Sequence, residues 1–326
     1  MARTIGGRIV TTTLPRKVAV IGAGDIGCGW AALCASAGWP VTIYDTNARV
    51  AERAFHEVPR RARALVALDR ATQGIVERGL LEYRQGRSLL QAVDEADWVI
   101  EAISEDLLAK QKLLEAIEGV AGEGALLSTS SSGLAPHDVF GRVRRLERCI
   151  VAHPLNPPEL IPLVELVPGP ATSANTIARA QDYLRQLGRI PTVLKKTVPG
   201  YVVGRISAAV WRECIDLVLQ GVMSVDDLDR AVSLGPALGW AAAGPHLTYH
   251  LGAGAEGVRG FLQHLLATFE ERWGQLATWR RLEPEQERAL VQAVEQAYKG
   301  KIDFLRDARD RRLSAMLKAM EQARTA

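Results

Sequence analysis

The sequence predicts an α/β fold in which a doubly wound sheet domain is followed by an all-α C-terminal domain. Short apolar runs rich in β-branched residues alternate with helical patterns in the first part of the chain, whereas almost every pattern beyond residue 200 is helical. With 326 residues, the chain is also longer than one core usually serves. We therefore expect a flexible N-terminal tail over residues 1–15, a sheet domain over 16–197 and a helical domain over 198–326.

The first predicted strand and the turn after it are the most informative stretch. The apolar run Val18–Ile21 is followed by glycines with the spacing G-x-G-x-x-G, at Gly22, Gly24 and Gly27. In a dinucleotide site the first glycine permits a tight turn, the second lets the backbone approach a pyrophosphate, and the third lets the helix pack on the strand. The helix N-terminus then faces an anion. The pattern predicts a Rossmann-type site, with a purely structural turn as the alternative.

The second strand specifies which dinucleotide is expected. The run Val41–Tyr44 ends at Asp45, where a carboxylate accepts hydrogen bonds from an adenosine ribose and repels a 2′-phosphate. Thr46 and Asn47 follow, where an NADP enzyme would carry an arginine. We therefore expect NAD as the cofactor. The predicted contacts around the turn are Gly22, Gly24, Asp25, Ile26, Gly27 and Asp45.

Composition excludes several other classes of protein. The formal charge is only +3 and the basic residues are scattered among acids, so we expect no nucleic-acid partner. No run of apolar residues is long enough to span a bilayer, and the N-terminus lacks the apolar core of a signal peptide, so we expect no membrane partner. The four cysteines show no C-x-x-C pairing, which indicates reduced thiols and a cytoplasmic protein. No metal site is predicted.

Further helices and strands continue the alternation to the domain boundary. A long helix over residues 48–68 contains Pro59, which is expected to kink or split it. Its five arginines suit either the phosphates of coenzyme A or a solvated surface. A helix over 72–81 and a linker through Gly86 follow. The remaining predicted elements are strands at 97–102, 125–127, 149–152, 163–167 and 191–194, and helices at 107–118 and 172–187.

Polar residues follow two of these strands at their carboxyl ends, where open α/β sheets bind ligands. The strand at 125–127 runs into the hydroxyl-rich segment Ser128–Gly133, which is a functional loop or merely a flexible one. The strand at 149–152 ends in His153, and Glu165 lies in the next strand. A carboxylate bonded to one imidazole nitrogen fixes the tautomer and leaves the other nitrogen as a general base. With NAD, such a histidine suffices for alcohol oxidation, although a lone histidine is more often structural.

The C-terminal part is expected to consist of helices over residues 202–219, 225–234, 258–273, 284–298 and 302–320. The glycine-rich segment Gly235–Gly257 is either a packed loop or a chain of short helices. Several of these helices carry apolar faces that a sheet edge does not easily cover. We therefore expect a homodimer formed through the helical domain.

With these residues in hand, the chain resembles the 3-hydroxyacyl-CoA dehydrogenase superfamily over nearly its whole length. The segments AHPLNPPELIPLVELVPGP and LSTSSSGLAP are similar to the short hydroxy-acid branch that contains lambda-crystallin (L-gulonate 3-dehydrogenase). The segments AAVWRE and LTYHLGAGAEGVRGF resemble L-carnitine dehydrogenases. The resemblance implies NAD-dependent conversion of a small 3-hydroxy acid to a 3-keto acid, or the reverse. A CoA thioester substrate and a non-catalytic, NAD-binding crystallin-like or sensing protein are the alternatives.

The resemblance also implies roles for individual residues. It makes His153 the base, Glu165 its orienting carboxylate, and Ser132 and Asn156 the groups that contact the substrate. Glu105 and Lys110 match positions that contact the cofactor. At Gly204 the pattern fails, because the acyl-CoA and gulonate enzymes carry an asparagine there. We expect a roomier pocket or another donor at this point, with Ser130, Gly204 and Arg205 as pocket residues and Ser207 as a further candidate donor.

Overall fold

The computed structural model describes residues 17–300 and 302–325 and divides the chain into two compact units, Met1–Gly204 and Arg205–Ala326. The tail expected over residues 1–15 lies outside the described residues. Each unit has the secondary structure that its sequence pattern predicts: the first alternates strands and helices, and the second is helical.

The first unit is organised on one eight-stranded sheet with the order β3-β2-β1-β4-β5-β6-β7-β8. All neighbouring strands are parallel except β6 and β7, which pair antiparallel. Because the parallel strands end at the same edge, residues that follow them in the chain are brought together there. The strands are β1 (Val18–Ile21), β2 (Val41–Tyr44), β3 (Tyr83–Gln85), β4 (Trp98–Glu101), β5 (Leu126–Thr129), β6 (Cys149–Pro154), β7 (Leu163–Pro168) and β8 (Ile190–Val193).

Both faces of the sheet are covered, as the fold class requires. Along β4, Trp98 and Ile100 belong to one hydrophobic cluster, whereas Val99 between them belongs to the other. Successive side chains of a strand point to opposite faces, so nearly continuous apolar strands predict two cores. The covering helices are α1 (Asp25–Ser36), α2 (Ala48–Ala67), α3 (Gln73–Leu81), α4 (Leu89–Val93), α5 (Leu107–Val120), α6 (Pro136–Val139) and α7 (Ala174–Gln186).

The first unit differs from the sequence expectation in several short elements and at Pro59. The predicted linker through Gly86 contains the edge strand β3 and the short helix α4, both too short to give a recognisable period. Helix α2 runs without a break through Pro59, and its apolar side, including Val58 and Ala62, is buried. The tertiary packing of this side therefore outweighs the hydrogen bond that the proline cannot make.

The second unit consists of helices that bury little apolar surface. In its described part, the only buried apolar side chains are those of Ile215, Leu228 and Ala277, whereas Trp211 and Leu234 are 65% and 70% exposed. Short helices occupy the glycine-rich segment at 235–257, which is one of the two expected alternatives. No described helix meets the length and hydropathy needed to cross a bilayer. The helices are α8 (Val203–Leu219), α9 (Val225–Leu234), α10 (Pro236–Ala243), α11 (Pro245–Leu251), α12 (Gly257–Gln275), α13 (Pro284–Ala297) and α14 (Ile302–Thr325). The first two residues of α8 still belong to the first unit.

Candidate active site

The glycine turn after β1 has the geometry of a dinucleotide cradle. Gly22 has φ +104°, and a Cβ atom there would lie 2.5 Å from the carbonyl oxygen of Ala102. A Cβ atom on Gly27 would lie 1.9 Å from the Gly22 oxygen, so α1 packs directly on the turn. In contrast, a Cβ atom on Gly24 would meet nothing within 4 Å. The first and third glycines are therefore required by packing, and the second leaves space where a pyrophosphate would approach.

Asp45 lies beside this turn at the end of β2. Its Oδ2 accepts a hydrogen bond from the Ala23 N–H at 2.9 Å, and its Oδ1 accepts one from Asn47 at 2.8 Å. Gly24 caps α1 without a side-chain hydrogen bond, so an anion at the helix N-terminus meets no competing cap. The side chain of Asp25 pairs with Arg61 at 2.8 Å. These residues fit a bound NAD, to which the start of α1 would offer its backbone.

His153 and Glu165 form a side-chain hydrogen bond across the antiparallel strands β6 and β7. The two residues are directly paired in the register, and Nδ1 of His153 lies 2.9 Å from Oε2 of Glu165. The other carboxylate oxygen accepts the N–H groups of Val202 and Val203 at 3.0 and 3.1 Å. Both oxygens are thus held, and the side chain of Glu165 is only 2% exposed. This arrangement assigns the proton to Nδ1 and leaves Nε2 as the acceptor.

The hydroxyl-rich loop after β5 is attached to Glu105. Its Oε1 accepts hydrogen bonds from the Ser131 hydroxyl at 2.6 Å and the Ser132 N–H at 2.9 Å, and the Ser132 hydroxyl lies 3.4 Å away. Burial raises the pKa of the Glu105 carboxyl, but the Ser131 hydrogen bond and the nearby Lys110 charge outweigh burial and hold the pKa below its usual range. Glu105 therefore remains an anion that orders the loop around the exposed Ser132.

Lys110 does not present its ammonium to the surface. The residue is 1% exposed, and its Nζ donates to Glu101 at 2.8 Å and to the Ile103 carbonyl at 3.1 Å. Its distance to Oε2 of Glu105 is 3.4 Å. Any influence of Lys110 on a ligand thus passes through Glu105. Sequence reasoning did not single out Glu101, because a glutamate ending a strand gives no signal of its own.

Tyr201 is a second residue that sequence reasoning missed. It is fully buried, its ring centroid lies 5.5 Å from that of His153, and its hydroxyl donates to the Leu134 carbonyl at 2.6 Å. Burial raises its pKa above the usual value, so the phenol stays neutral and serves as a hydrogen-bond donor. Tyr201 therefore contacts both the catalytic histidine candidate and the serine loop. In the sequence, Tyr201 directly follows the break at residues 197–200 and belongs to no motif that indicates a function.

The remaining predicted site residues have different surroundings. A Cβ atom on Gly204 would come 3.9 Å from the Ser132 carbonyl oxygen and meet nothing closer, so the space beside the serine loop is open. The Ser130 hydroxyl accepts from Nε1 of Trp30 at 3.0 Å and is thereby tied to α1. Asn156 is exposed. Arg205 and Ser207 are exposed and belong to the second unit.

Three of the five arginines on α2 are engaged in ion pairs. Arg61 contacts Glu159 at 3.4 Å in addition to Asp25, while Arg60 pairs with Glu57 at 2.9 Å. Arg63 pairs with Glu77 at 2.9 Å. This observation favours a solvated, paired helix face over a site for phosphates. Arg49 and Arg53 are the exposed arginines that stay candidates for phosphate contacts.

Within the described residues, no cluster of His, Cys, Asp and Glu has the grouping of a metal site.

Comparison with known proteins identifies relatives of both units. Residues 17–197 match the family model for the NAD binding domain of 3-hydroxyacyl-CoA dehydrogenase, and residues 200–300 match the model for its C-terminal domain. An L-carnitine dehydrogenase of Oceanobacillus iheyensis is 33% identical over 267 residues, covering 80% of this chain and 84% of the relative. The lambda-crystallin homolog of Homo sapiens is 34% identical over 266 residues, covering 77% and 81%.

Among solved structures, a 5-formyl-3-hydroxy-2-methylpyridine 4-carboxylic acid 5-dehydrogenase, described as an NAD+-dependent dismutase, superposes with a TM-score of 0.78 at 28% identity. It covers 95% of this chain, and 99% of that structure is matched. The likeness therefore extends over both units.

Proposed function

Because the chain belongs to the 3-hydroxyacyl-CoA dehydrogenase family, whose N-terminal domain binds NAD, we propose that it converts the 3-hydroxyl of a small hydroxy acid to a 3-keto group, or the reverse. The observation that carries this proposal is the His153–Glu165 contact of 2.9 Å, with the second Glu165 oxygen held by two backbone N–H groups. An imidazole oriented in this way is what removal of a hydroxyl proton requires.

In the proposed reaction, Nε2 of His153 takes the proton of the substrate hydroxyl. Glu165 stabilises the imidazolium as it forms, and the same group returns the proton in the reverse direction. Ser132 and Asn156 hold the substrate oxygen. Bound NAD supplies the hydride acceptor.

Cofactor binding is assigned to residues of the first unit. Gly22, Gly24 and Gly27 shape the pyrophosphate site, and Asp45 binds the adenosine ribose. The backbone at Asp25 and Ile26 would bind the phosphates, and Glu105 and Lys110 are assigned as further residues that would hold the cofactor. We assign NAD binding to residues 16–197, and substrate binding and dimerisation to 198–326.

For the substrate, we favour a free 3-hydroxy acid resembling L-carnitine or L-gulonate. Support comes from the L-carnitine dehydrogenase relatives and from the lambda-crystallin homolog. The ion pairs of Arg60, Arg61 and Arg63 weaken the case for a CoA thioester, which the family models keep as the second candidate. A non-catalytic NAD-binding protein is the third, and the oriented His153–Glu165 pair argues against it.

A substrate panel tests these candidates directly. L-carnitine, L-gulonate, 3-hydroxybutyrate and 3-hydroxybutyryl-CoA are each incubated with NAD, and NADH formation is followed by absorbance. We expect turnover with a free hydroxy acid and not with the thioester. Turnover of 3-hydroxybutyryl-CoA without turnover of the free acids would favour a 3-hydroxyacyl-CoA dehydrogenase. Failure of all four, together with NADH binding, would contradict the dehydrogenase proposal for these substrates.

We also propose a homodimer formed through the second unit. With three buried apolar side chains in its described part, and with Trp211, Leu234 and Trp273 at least 57% exposed, this unit presents more apolar surface than a monomer usually leaves uncovered. Light scattering should give twice the chain mass at micromolar concentration. A monomer at all concentrations would refute this assignment.

We also propose a cytoplasmic location. It is supported by the four cysteine thiols, which are all free: Cys28, Cys34, Cys149 and Cys214.

A further inference from the structure

Glu101, at the end of β4, is a fully buried carboxylate that the proposed reaction does not use. Lys110 Nζ donates to its two oxygens at 2.8 and 3.1 Å, and the Ile103 N–H donates to Oε1 at 2.7 Å. The Thr129 hydroxyl donates to Oε2. A buried ion pair adds little stability over apolar residues of the same size, because both charges are desolvated. Its presence beside the serine loop therefore calls for a role beyond stability.

Hydrogen bonds and one ion pair form a ring from Glu101 through the serine loop and back. Thr129 Oγ1 accepts the Ser131 N–H at 3.2 Å, and the Ser131 hydroxyl donates to Oε1 of Glu105 at 2.6 Å. The second oxygen of Glu105 lies 3.4 Å from Lys110 Nζ, which returns to Glu101. Four of the five ring members are at most 1% exposed; Glu105 alone reaches the surface. The ring consists of Glu101, Thr129, Ser131, Glu105 and Lys110, and we refer to it as the carboxylate ring.

Ser132 is attached to this carboxylate ring without belonging to it. Its N–H donates to Oε1 of Glu105 at 2.9 Å, whereas its hydroxyl is 3.4 Å from the same oxygen, near the limit of a hydrogen bond. A serine hydroxyl has one proton to donate. Because Ser131 and the Ser132 N–H already occupy Oε1 and Lys110 faces Oε2, the Ser132 proton is held only weakly and can turn to a substrate oxygen.

We propose that Glu101 is a positioning residue that acts through Thr129 and Lys110. It keeps both carboxylate oxygens of Glu105 occupied by other partners, so that the Ser132 hydroxyl donates to the substrate oxygen. The inference rests on the proposed function, in which Ser132 holds that oxygen. The Thr129 branch fixes the loop backbone at Ser131, and the Lys110 branch fixes the carboxylate of Glu105. When either branch is cut, Glu105 competes with the substrate for the Ser132 proton, and turnover falls more than binding.

The test compares two adjacent buried hydroxyls on β5. Thr129→Val removes two ring hydrogen bonds, the one donated to Glu101 and the one accepted from the Ser131 N–H, at nearly constant volume. Ser128→Ala is the matched control, because its hydroxyl bonds Trp98 Nε1 at 2.8 Å and the Val99 carbonyl at 3.3 Å, outside the ring. For Thr129→Val we expect kcat to fall about tenfold or more with KM and NADH affinity within about threefold, and for Ser128→Ala an unchanged kcat. Equal kcat values for the two variants would overturn the proposal.

A second pair of variants separates positioning from folding. Lys110→Met leaves the Glu101 carboxylate buried without its counter-ion, so it should lower the Tm. Glu101→Gln/Lys110→Met removes both charges and should recover much of the Tm while kcat stays low. If the double variant recovers both the Tm and kcat, the ion pair is purely structural and the proposal is wrong.

The titration of Glu105 separates failure of the ring from failure of the proposed function. Carboxyl ¹³C NMR of the full chain without NADH should show the Glu105 pKa rising in Ser131→Ala and in Lys110→Met, and unchanged in Ser128→Ala. An unchanged Glu105 pKa in all three variants would disprove the ring contacts, whatever the activity. If the wild type turns over none of the panel substrates, the proposed function fails, and with it the assigned use of Ser132.

Discussion

Glu165 lies opposite His153 in the antiparallel pairing of β6 and β7, and its two oxygens serve different partners. Oε2 contacts Nδ1 of the imidazole at 2.9 Å, and Oε1 accepts the N–H groups of Val202 and Val203 at the start of α8. One carboxylate thus orients the candidate base and also binds the backbone of two residues near the end of the first unit. Each partner restricts the carboxylate for the other, so the imidazole has a single well-defined orientation.

Replacing the imidazole tests the proposed base. His153→Ala should lower kcat about 10²–10⁴-fold, the usual contribution of general-base catalysis. NADH affinity, measured by fluorescence titration, should be unchanged because none of the predicted cofactor contacts lies on β6, the strand that carries His153. Turnover within about tenfold of the wild type would contradict the assignment.

Glu165→Gln tests the orienting carboxylate and keeps one oxygen that can accept the N–H groups of Val202 and Val203. Without the charge, the imidazolium loses its stabilising partner and the tautomer is no longer fixed, so we expect kcat to fall about 10²–10⁴-fold with a smaller change in KM. The matched control is Glu77→Gln, which removes a surface carboxylate paired with Arg63 at 2.9 Å. Similar activity of the two variants would show that the carboxylate charge is not used.

Asp45 should determine the choice of cofactor. The wild type is expected to use NAD and to discriminate strongly against NADP, because the carboxylate repels a 2′-phosphate. Asp45→Ala removes this repulsion and also the acceptor of the Ala23 N–H, so NAD affinity should drop and the NAD/NADP ratio of kcat/KM should narrow. An unchanged NAD/NADP ratio of kcat/KM would show that the adenosine ribose does not bind at Asp45.

Gly204 should influence substrate choice and not folding. A Cβ atom there has open space, and glycine is the poorer helix former, so Gly204→Ala should keep the Tm or raise it. Gly204→Asn should reduce kcat/KM for a substrate that is bulky next to the reacting carbon, such as L-carnitine, more than for 3-hydroxybutyrate. A change of about 1–3 kcal/mol in relative transition-state binding is expected for one hydrogen bond or clash. Equal changes in kcat/KM for the two substrates would show that Gly204 does not line the substrate pocket.

The pH dependence of stability should reveal the charge of Glu105. Its pKa is held below the usual value of 4.5, so its contribution to stability is present above that pH and is lost as the pH falls through the lowered value. The difference in free energy of unfolding between the wild type and Glu105→Gln should therefore shrink on acidification below pH 4.5. Urea unfolding at several pH values measures it. If the difference in free energy of unfolding does not depend on pH, the negative charge of Glu105 does not stabilise the fold.

Much of the first unit was predictable because its signals are local. The run Val18–Ile21 and the three glycines after it encode a strand, a turn and a helix start within a few residues. The edge strand β3 and the helix α4 escaped prediction because neither is long enough to show a period. Tyr201 and Glu101 escaped it for another reason: each acts through contacts with residues far away in the chain.

By itself, the sequence determined the alternation of strands and helices, the cradle for NAD and the membership of His153 and Glu165 in neighbouring strands. These features depend on residue type and on short spacings, which the backbone translates directly into local structure. Only the tertiary structure decided that Glu165 also holds the start of α8, that Lys110 is buried against Glu101, and that Glu105 gathers the serine loop. Such contacts form when parallel strands end at one edge of a sheet, and their partners are fixed by the three-dimensional packing of distant segments.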